Sequence, residues 1–183
     1  NEFVATSKEN SYANSTVHLA TDIQWDGTDF AGIGSLEVPF AGTFDGQGYT
    51  ISGLYLNSTT VGAGLFGYTA DTAVLKNFKL VDSFITSNRD GVGIVGDGTF
   101  ELMENVYTNA IFKTTGQKAG GFVGILEIRG ESNNTQANVA FKNCWFDGSI
   151  KMLAWEEENT GACEAGGLVG RVVQGDAIIE HCL

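Results

Sequence analysis

The sequence predicts an all-β chain that folds as a parallel β-solenoid, in which similar coils stack on one another. The first observation is a Gly phrase of glycine, two apolar residues and glycine, whose four copies begin 29, 28 and 46 residues apart. Self-similarity at a period of roughly 20–50 residues is typical of stacked arrays. We expect these glycines to let the chain turn and pack closely. They are Gly64, Gly67, Gly93, Gly96, Gly121, Gly124, Gly167 and Gly170.

The second observation is an Asn phrase, in which an apolar and a charged residue precede Asn or His and an apolar residue follows. It occupies residues 75–78, 103–106, 141–144 and 179–182, once after each Gly phrase. An Asn at the same corner of every coil would hydrogen-bond along the stack and tolerate the left-handed conformation of a sharp turn. The members of this predicted structural column are Asn77, Asn105 and Asn143, with His181 in the last copy.

The third observation is that mostly apolar residues recur at the first, third and seventh positions after the Asn. A period of two is what a half-buried strand requires. Repeated strands of this kind stack in parallel about 4.8 Å apart. The predicted columns are Phe78, Val106 and Cys144; Leu80, Thr108 and Phe146; and Phe84, Phe112 and Ile150.

The elements before the first Gly phrase follow from local patterns. Residues 1–16 predict a cap, as a brief helix or an irregular cover, because the end of an array exposes unpaired backbone groups. Residues 16–23 alternate apolar and polar side chains and predict a strand, and residues 40–56 predict short strands between glycine turns. Asp45-Gly46 is a favourable turn pair, since both residues tolerate positive φ. We expect the coils to span 16–183 within one domain, 1–183.

Two stretches depart from the repeat, one around residues 127–138 and one over 153–165, and we expect loop insertions there. The last Asn phrase is followed directly by Leu183. A coil that ends at this point leaves its apolar edge open. We therefore expect a fragment of a longer array, with further repeats or another chain covering the C-terminal edge.

Composition excludes several functions. With 10 Lys+Arg against 22 Asp+Glu, the formal net charge is −12. Nucleic-acid binding is disfavoured, because phosphate contacts need clustered cations. No apolar run approaches the roughly 18 residues of a membrane span, so we expect no span in this chain. Three cysteines, an odd number, leave the redox compartment undecided.

Residues 40–54, followed by the Gly phrases, resemble the GLUG-repeat family of bacterial surface proteins. That family includes adhesin-like proteins and the non-catalytic region of IgA-specific metalloendopeptidases. The resemblance covers residues 16–183 and implies a right-handed parallel β-helix that is extracellular or on a bacterial cell surface. It carries over no catalytic residue, because the shared positions are turn glycines and core aliphatic residues.

Candidate ligand-binding residues lie where the alternation points outward. Lys79, Tyr107 and Trp145 occupy one such position in successive copies. Tyr and Trp side by side on a flat sheet would offer a sugar-stacking platform or a protein hot spot. Trp155, in the neighbouring insertion, is placed to fold over them. An equally consistent interpretation is that the insertion packs on these rings and hides them. The predicted partner is a glycan or a host or cell-surface protein.

A non-catalytic module for adhesion, ligand binding or structural spacing is the favoured function. His18 and His181 are the only histidines, so a zinc-protease motif is absent, and we expect no catalytic residue, metal site or cofactor. Weak calcium binding by Glu156, Glu157 and Glu158 stays open. The alternative is a polysaccharide-active β-helix lyase or glycosidase, which needs acting carboxylates. The candidates, scattered over different repeat positions, are Asp82, Asp90, Asp97, Asp147 and Glu164.

The cysteines allow two arrangements. Cys144 and Cys182 share a core-facing repeat position, and in adjacent coils their Cα atoms would lie within disulfide range. We favour two stacked thiols, because buried cysteines usually behave as small inert hydrophobes, and leave the bond open. Cys163, in the second insertion, is the better candidate for a reactive thiol.

Overall fold

The structure, a computed structural model, describes residues 2–27, 30–127, 138–153, 162–173 and 176–183. These residues form one short helix and nineteen strands, so the chain is all-β. The elements are α1 (Glu2–Thr6), β1 (Thr16–His18), β2 (Ile23–Gln24), β3 (Thr43–Asp45), β4 (Thr50–Ser52), β5 (Tyr55–Ser58), β6 (Phe66–Thr69), β7 (Val74–Val81), β8 (Phe84–Ser87), β9 (Val95–Gly98), β10 (Leu102–Thr108), β11 (Ile111–Thr114), β12 (Lys118–Gly120), β13 (Val123–Leu126), β14 (Asn138–Lys142), β15 (Trp145–Phe146), β16 (Ser149–Met152), β17 (Glu164–Gly166), β18 (Val169–Val172) and β19 (Asp176–Glu180).

The strands of the described residues pair in parallel and form three long sheets. The first sheet has the order β1-β3-β7-β10-β14-β19, with β2, β4 and β15 paired beside this path. The second sheet has the order β16-β11-β8-β5 and the third β18-β13-β9-β6, while β12 pairs with β17. Along the chain, β7, β8 and β9 enter three different sheets, and β10 then returns to lie beside β7. This stacking of parallel strands is consistent with a β-helix.

Both phrases stack in register from coil to coil. The predicted alignments of Phe78 with Val106 and of Leu80 with Thr108 and Phe146 are confirmed. The Gly-phrase column is Phe66, Val95, Val123 and Val169. The Asn-phrase column is Leu75, Met103, Phe141 and Ile179. Because the same apolar residues face the same interior in each coil, the core is continuous along the stack.

Phenylalanine rings fill much of this interior. Phe44 contacts Phe66 and Phe78 edge-to-face, with ring centroids 5.3 and 5.5 Å apart. Phe100 and Phe141 repeat this geometry at 5.2 Å further along the stack. All five side chains are buried. Such pairs add about 0.5–1.5 kcal/mol to the stabilisation from burial alone, so the rings bind neighbouring coils together.

One predicted core column is wrong by one residue. Ile85 pairs with Phe112, and both are fully buried, whereas Phe84 lies on the outer face. The reason is an extra corner residue between β7 and β8, Asp82, which adopts a positive φ of 48°. Strand alternation then restarts one position later, so the residue after Phe84 takes the inward place.

The turn after β3 also differs from the prediction. The positive φ angles belong to Gln47 (53°) and Gly48 (85°), not to Asp45 and Gly46. Asp45 instead sets up the turn, because its Oδ1 accepts a hydrogen bond from Gln47 N at 2.9 Å. Gly46 is needed for closeness, since a Cβ at that position would collide with Phe78 of the next coil.

The glycines of the Gly phrase serve close packing rather than turning. None of them has a positive φ, and the left-handed glycines precede the phrase at Gly62 (81°) and Gly91 (77°). A Cβ at Gly64 would lie 2.6 Å from the carbonyl oxygen of Ile94 in the next coil. The expectation that the phrase glycines turn the chain is therefore wrong, while close approach of stacked backbones explains them.

Residues 31–34 align with the Gly phrase but differ from it in sequence, because Ala31 and Gly32 take the places of a glycine and an apolar residue. Gly32 and Gly34 also have positive φ angles of 71° and 74°, unlike the phrase glycines. Ile33 bridges Phe66 in parallel and is buried, so this segment holds the phrase position one coil earlier. Ser7 and Lys8, just after α1, bind it. Gly34 N donates to Ser7 Oγ at 3.1 Å, and Lys8 Nζ donates to the carbonyl oxygens of Ala31 and Gly34.

The ring of Phe3, within α1, closes over the same end of the stack. Its centroid lies 6.4 Å from that of Phe40 and 6.5 Å from that of Phe44. Residues before the first coil thus cover core rings and satisfy backbone groups at the N-terminal end, which are the two needs of an array end.

Candidate functional site

Tyr107 and Trp145, two of the predicted ligand-binding residues, lie side by side on the outer face of the first sheet. Tyr107 pairs with Lys79 in one neighbouring strand and with Trp145 in the other. Thr50 continues this outward column beyond Lys79. Since neighbouring strands are about 4.8 Å apart, the alignment predicted from the sequence brings these side chains together.

The two aromatic rings form an edge-to-face pair. Their centroids are 6.1 Å apart and their planes make an angle of 84°. The Trp145 side chain is 54% exposed, so no part of the chain that the structure describes covers it. Tyr107 is half-buried, and its hydroxyl donates to Asp147 Oδ2 at 3.5 Å. The pair therefore presents an open indole beside a phenol that has a defined partner.

A ladder of amides runs beside the aromatic column. Asn105 Nδ2 donates to Asn77 Oδ1 at 2.9 Å, and Asn143 Nδ2 donates to Asn105 Oδ1 at 3.1 Å. Asn77 Nδ2 donates in turn to Asp45 Oδ1 at 3.0 Å. The three asparagines and His181 have φ angles of 57°, 53°, 52° and 53°, so all occupy left-handed corners. Each amide carries two N–H groups, and the ladder uses one of them.

An open groove of about 440 Å³ lies between the amide ladder and the aromatic column. The three asparagines, Lys79, Tyr107 and Trp145 line it, together with Gln47 and Gly48 from the turn after β3. Lys79 is exposed and has no acidic partner among the described residues. The groove thus combines an aromatic surface, a row of N–H donors and a cation, which suits a ligand rich in hydroxyl groups.

Two carboxylates that the sequence scatters lie close enough to act on Tyr107. Loss of solvent, the Asp147 carboxylate and, more weakly, Asp82 raise the pKa of the Tyr107 phenol above its ordinary value. Asp147 N donates to the carbonyl of Thr108, which places Asp147 at the corner next to the aromatic pair. In the sequence, the signal for this contact was that Asp147 follows Trp145 by two residues. Asp82 follows Lys79 by three residues because of the extra corner residue, so the two carboxylates do not align in the repeat.

The other candidate carboxylates have structural surroundings instead. Burial raises the pKa of Asp90, but hydrogen bonds from Lys118 Nζ and Gln117 N outweigh it and hold the pKa below its usual value. Asp97 is completely buried. Glu164 Oε2 lies 3.8 Å from Arg171 Nε. None of these three carboxylates lines the groove.

The cysteines are free thiols, and two of them are stacked. Cys144 N donates to Cys182 Sγ at 3.4 Å, and Cys144 Sγ donates to the carbonyl of Met103 at 3.4 Å. Burial raises the pKa of Cys144 to about 12, so its thiol stays protonated and unreactive at neutral pH. Cys163 is exposed.

Some predicted residues lie outside the described ranges. Trp155 and the run Glu156, Glu157 and Glu158 are among them, and their roles stay predictions. Within the described ranges, no group of three or more His, Cys, Asp or Glu side chains is arranged to hold a metal ion. No helix among those residues has the length and apolar character needed to cross a membrane.

No protein-family model matches the chain. In sequence it is similar to halomucin of Haloquadratum walsbyi, with 29% identity over 143 residues, which are 74% of this chain and 2% of that protein. In structure it is similar to a crystal structure from Bacteroides ovatus described as a candidate immunoglobulin A1 protease, with a TM-score of 0.71 and 22% identity. That match covers 92% of this chain and 50% of the other, and it shows a shared fold. The chain thus spans a small part of halomucin and about half of the Bacteroides protein.

Proposed function

We propose that the chain is a non-catalytic, right-handed parallel β-helix module of a bacterial surface protein and that it binds a glycan in the groove. The observation that carries this proposal is the exposed indole of Trp145 beside Tyr107 and the amide ladder. Aromatic rings stack on the apolar faces of sugars, and amide N–H groups donate to sugar hydroxyls. A module that binds a host protein, or that serves only as a spacer, would have the same fold but would not need aromatic rings beside a row of amide N–H donors.

The comparisons support an extracellular location. Halomucin and the Bacteroides protein carry names that suit secreted or surface proteins, and the motif resemblance to GLUG repeats points the same way. The formal charge of −12 is consistent with a soluble, well-hydrated surface module. Membership of the GLUG family and an adhesive role are parts of the proposal.

A glycan array on the purified chain tests the groove. Replacing Tyr107 and Trp145 together by alanine removes the aromatic platform, and we expect at least about ten-fold weaker retention with little change in thermal unfolding. Leu36→Ala is the matched control, because Leu36 is 49% exposed and lies outside the groove. If the double variant loses much stability, the rings are packing residues, and if it retains glycans unchanged, the groove is not the site.

The alternative function, a polysaccharide-active enzyme, rests on the two carboxylates near Tyr107. Asp147 contacts the Tyr107 hydroxyl, and Asp82 contributes to its raised pKa. Reducing-end release from polysaccharides that the array identifies would measure turnover directly. If the chain cleaves the polysaccharide and Asp147→Asn abolishes cleavage while glycan binding is kept, the chain is an enzyme and not a non-catalytic binding module.

We also propose that further repeats or another chain cover the C-terminal edge. Ile178 and Ile179, in the edge strand β19, are 56% and 52% exposed, and adjacent exposed apolar residues on an edge strand favour association. Leu183, beyond that strand, is 78% exposed. Sedimentation velocity should show concentration-dependent self-association of the chain that Ile178→Lys reduces. A chain that stays monomeric at high concentration would contradict this proposal.

A further inference from the structure

We infer that the outer face of the second sheet is a separate binding surface for an acidic polysaccharide. Two columns of outward side chains run along this face. The apolar column consists of Tyr55, Phe84 and Ile111 and ends at Ser149, and the polar column consists of Asn57, Thr86, Lys113 and Lys151. The surface lies outside the groove and does not depend on the function proposed for it.

Burial alternates sharply along these strands. Ile85 and Phe112 point inward and are fully buried, whereas Tyr55 and Ile111 are 38% and 37% exposed. The Tyr55 and Phe84 rings stack with centroids 6.0 Å apart and planes 14° from parallel. The apolar column is therefore a continuous ridge that faces solvent.

Lys113 and Lys151 are the unusual feature of the polar column. They pair in register on neighbouring strands, which places two ammonium-bearing side chains about 4.8 Å apart at their origins. Like charges directly opposite each other destabilise a sheet. With 22 acidic residues in the chain, partners are plentiful, and other lysines have them. Those ion-paired lysines are Lys76, Lys118 and Lys142.

Neither Lys113 nor Lys151 has an acidic partner among the described residues. An anionic group placed between the two ammonium groups converts their repulsion into two attractions. Charge complementarity therefore selects an anionic ligand for a surface that belongs to an otherwise acidic protein. A second copy of this chain, with its formal charge of −12, would be repelled at longer range.

The backbone of this face favours a polysaccharide over an acidic peptide. β8 and β11 are central strands of the second sheet, paired on both sides, so an extended peptide finds no unpaired backbone groups on the face itself. A sugar polymer needs side chains only. Its rings lie on the apolar column, its hydroxyls meet Asn57 and Thr86, and its carboxylate or sulfate groups lie between Lys113 and Lys151.

A corner separates this surface from the groove. Asp82, Asn109 and Asp147 occupy that corner, two residues before the strands begin at Phe84, Ile111 and Ser149. Lys113 and Lys151 lie two residues after the first residues of their strands. The apolar column therefore separates the lysines from the carboxylates of Asp82 and Asp147. The anionic groups of an acidic polymer are therefore attracted by the two lysines and repelled by the two carboxylates at the corner, which fixes the position of the polymer on the face.

Calorimetric titration with polygalacturonate oligosaccharides tests the inference on the intact chain. We expect binding that weakens at least about ten-fold in Lys113→Gln/Lys151→Gln and between about 50 and about 500 mM NaCl. Lys76→Gln/Lys142→Gln is the matched control, because it removes the same charge from lysines that have acidic partners. The Tyr107→Ala/Trp145→Ala variant should keep this binding, which separates the surface from the groove.

Three outcomes would overturn the inference. Equal affinity for neutral dextran would show that charge does not select the ligand. Equal affinity for poly-glutamate would assign the surface to acidic proteins rather than polysaccharides. Equal loss in both lysine variants would show a general charge effect instead of a site. The unfolding temperatures of the two lysine variants check that each remains folded. The Lys113→Gln/Lys151→Gln variant should be at least as stable as the parent chain, because it removes the repulsion between the two lysines.

Discussion

The interior coils and the last coil carry the same phrase with opposite burial. Met103 and Phe141 are completely buried, whereas Ile179, in the same column, is 52% exposed. The side chains are equally apolar and sit at the same register. The difference is that Met103 and Phe141 have a coil on both sides. Burial in this molecule is therefore a property of the stack, and each coil depends on its neighbours for its core.

The largest expected difference between the two regions is in core truncation. Phe141→Ala should lower the free energy of unfolding by about 3–5 kcal/mol, because it leaves a cavity that neighbouring coils cannot fill. Ile179→Ala should cost less than about 1 kcal/mol, since its side chain is half in solvent already. Urea unfolding measures both. Equal losses would mean that the last coil is covered in solution.

A smaller effect is expected at the corners. Asn105→Ala should cost about 2–4 kcal/mol, because it breaks two ladder hydrogen bonds and puts a Cβ residue of low left-handed preference at a φ of 53°. Asn105→Gly keeps the conformation and should cost about 1–2 kcal/mol. His181→Ala, at the edge, should cost least. If Gly and Ala are equivalent at residue 105, backbone strain is not what the Asn relieves.

The smallest effect concerns the stacked thiols at the boundary of the two regions. The folded chain holds the Cys144 proton up to a pKa of about 12, above the ordinary value of 9.0. The folded state thus binds more protons than the unfolded state between these values, and stability should fall as the pH rises above about 9. Cys144→Ala should flatten that fall relative to Cys163→Ala in guanidinium titrations at several pH values. Parallel pH profiles for the two variants would contradict the shift.

The repeat itself was predictable because stacking forces one residue type into one column. The Gly and Asn phrases recur in the same order in every coil, although the spacing between copies varies, and a parallel register brings each phrase onto its own copy. The same alignment, together with the alternation of side chains along a strand, correctly predicted that Tyr107 and Trp145 point outward and lie side by side. What failed was local. One additional corner residue, Asp82, displaced Phe84 from the core, and Ala31 and Gly32, in place of a glycine and an apolar residue, concealed residues 31–34.

The site was less predictable than the fold because its parts come from different corners and faces. Asp147 contacts the Tyr107 hydroxyl from a corner of the neighbouring coil, and the signal for this in the sequence is its position two residues after Trp145. The predicted alignment of Phe112 with Ile150 already places Lys113 beside Lys151. Only the structure shows that neither lysine has an acidic partner among the described residues. The sequence repeat predicts which residues align in one column. Contacts between side chains of different columns depend on the conformation of the corners, which the repeat does not specify.

The fixed register has a consequence for loop length. Leu75 pairs with Met103 across 28 residues, and Met103 pairs with Phe141 across 38, yet the two steps align the same column. The additional residues come between β13 and β14 in the sequence, and the two strands keep their register with β9 and β10. A change in the length of this loop therefore leaves the strand contacts around it in place.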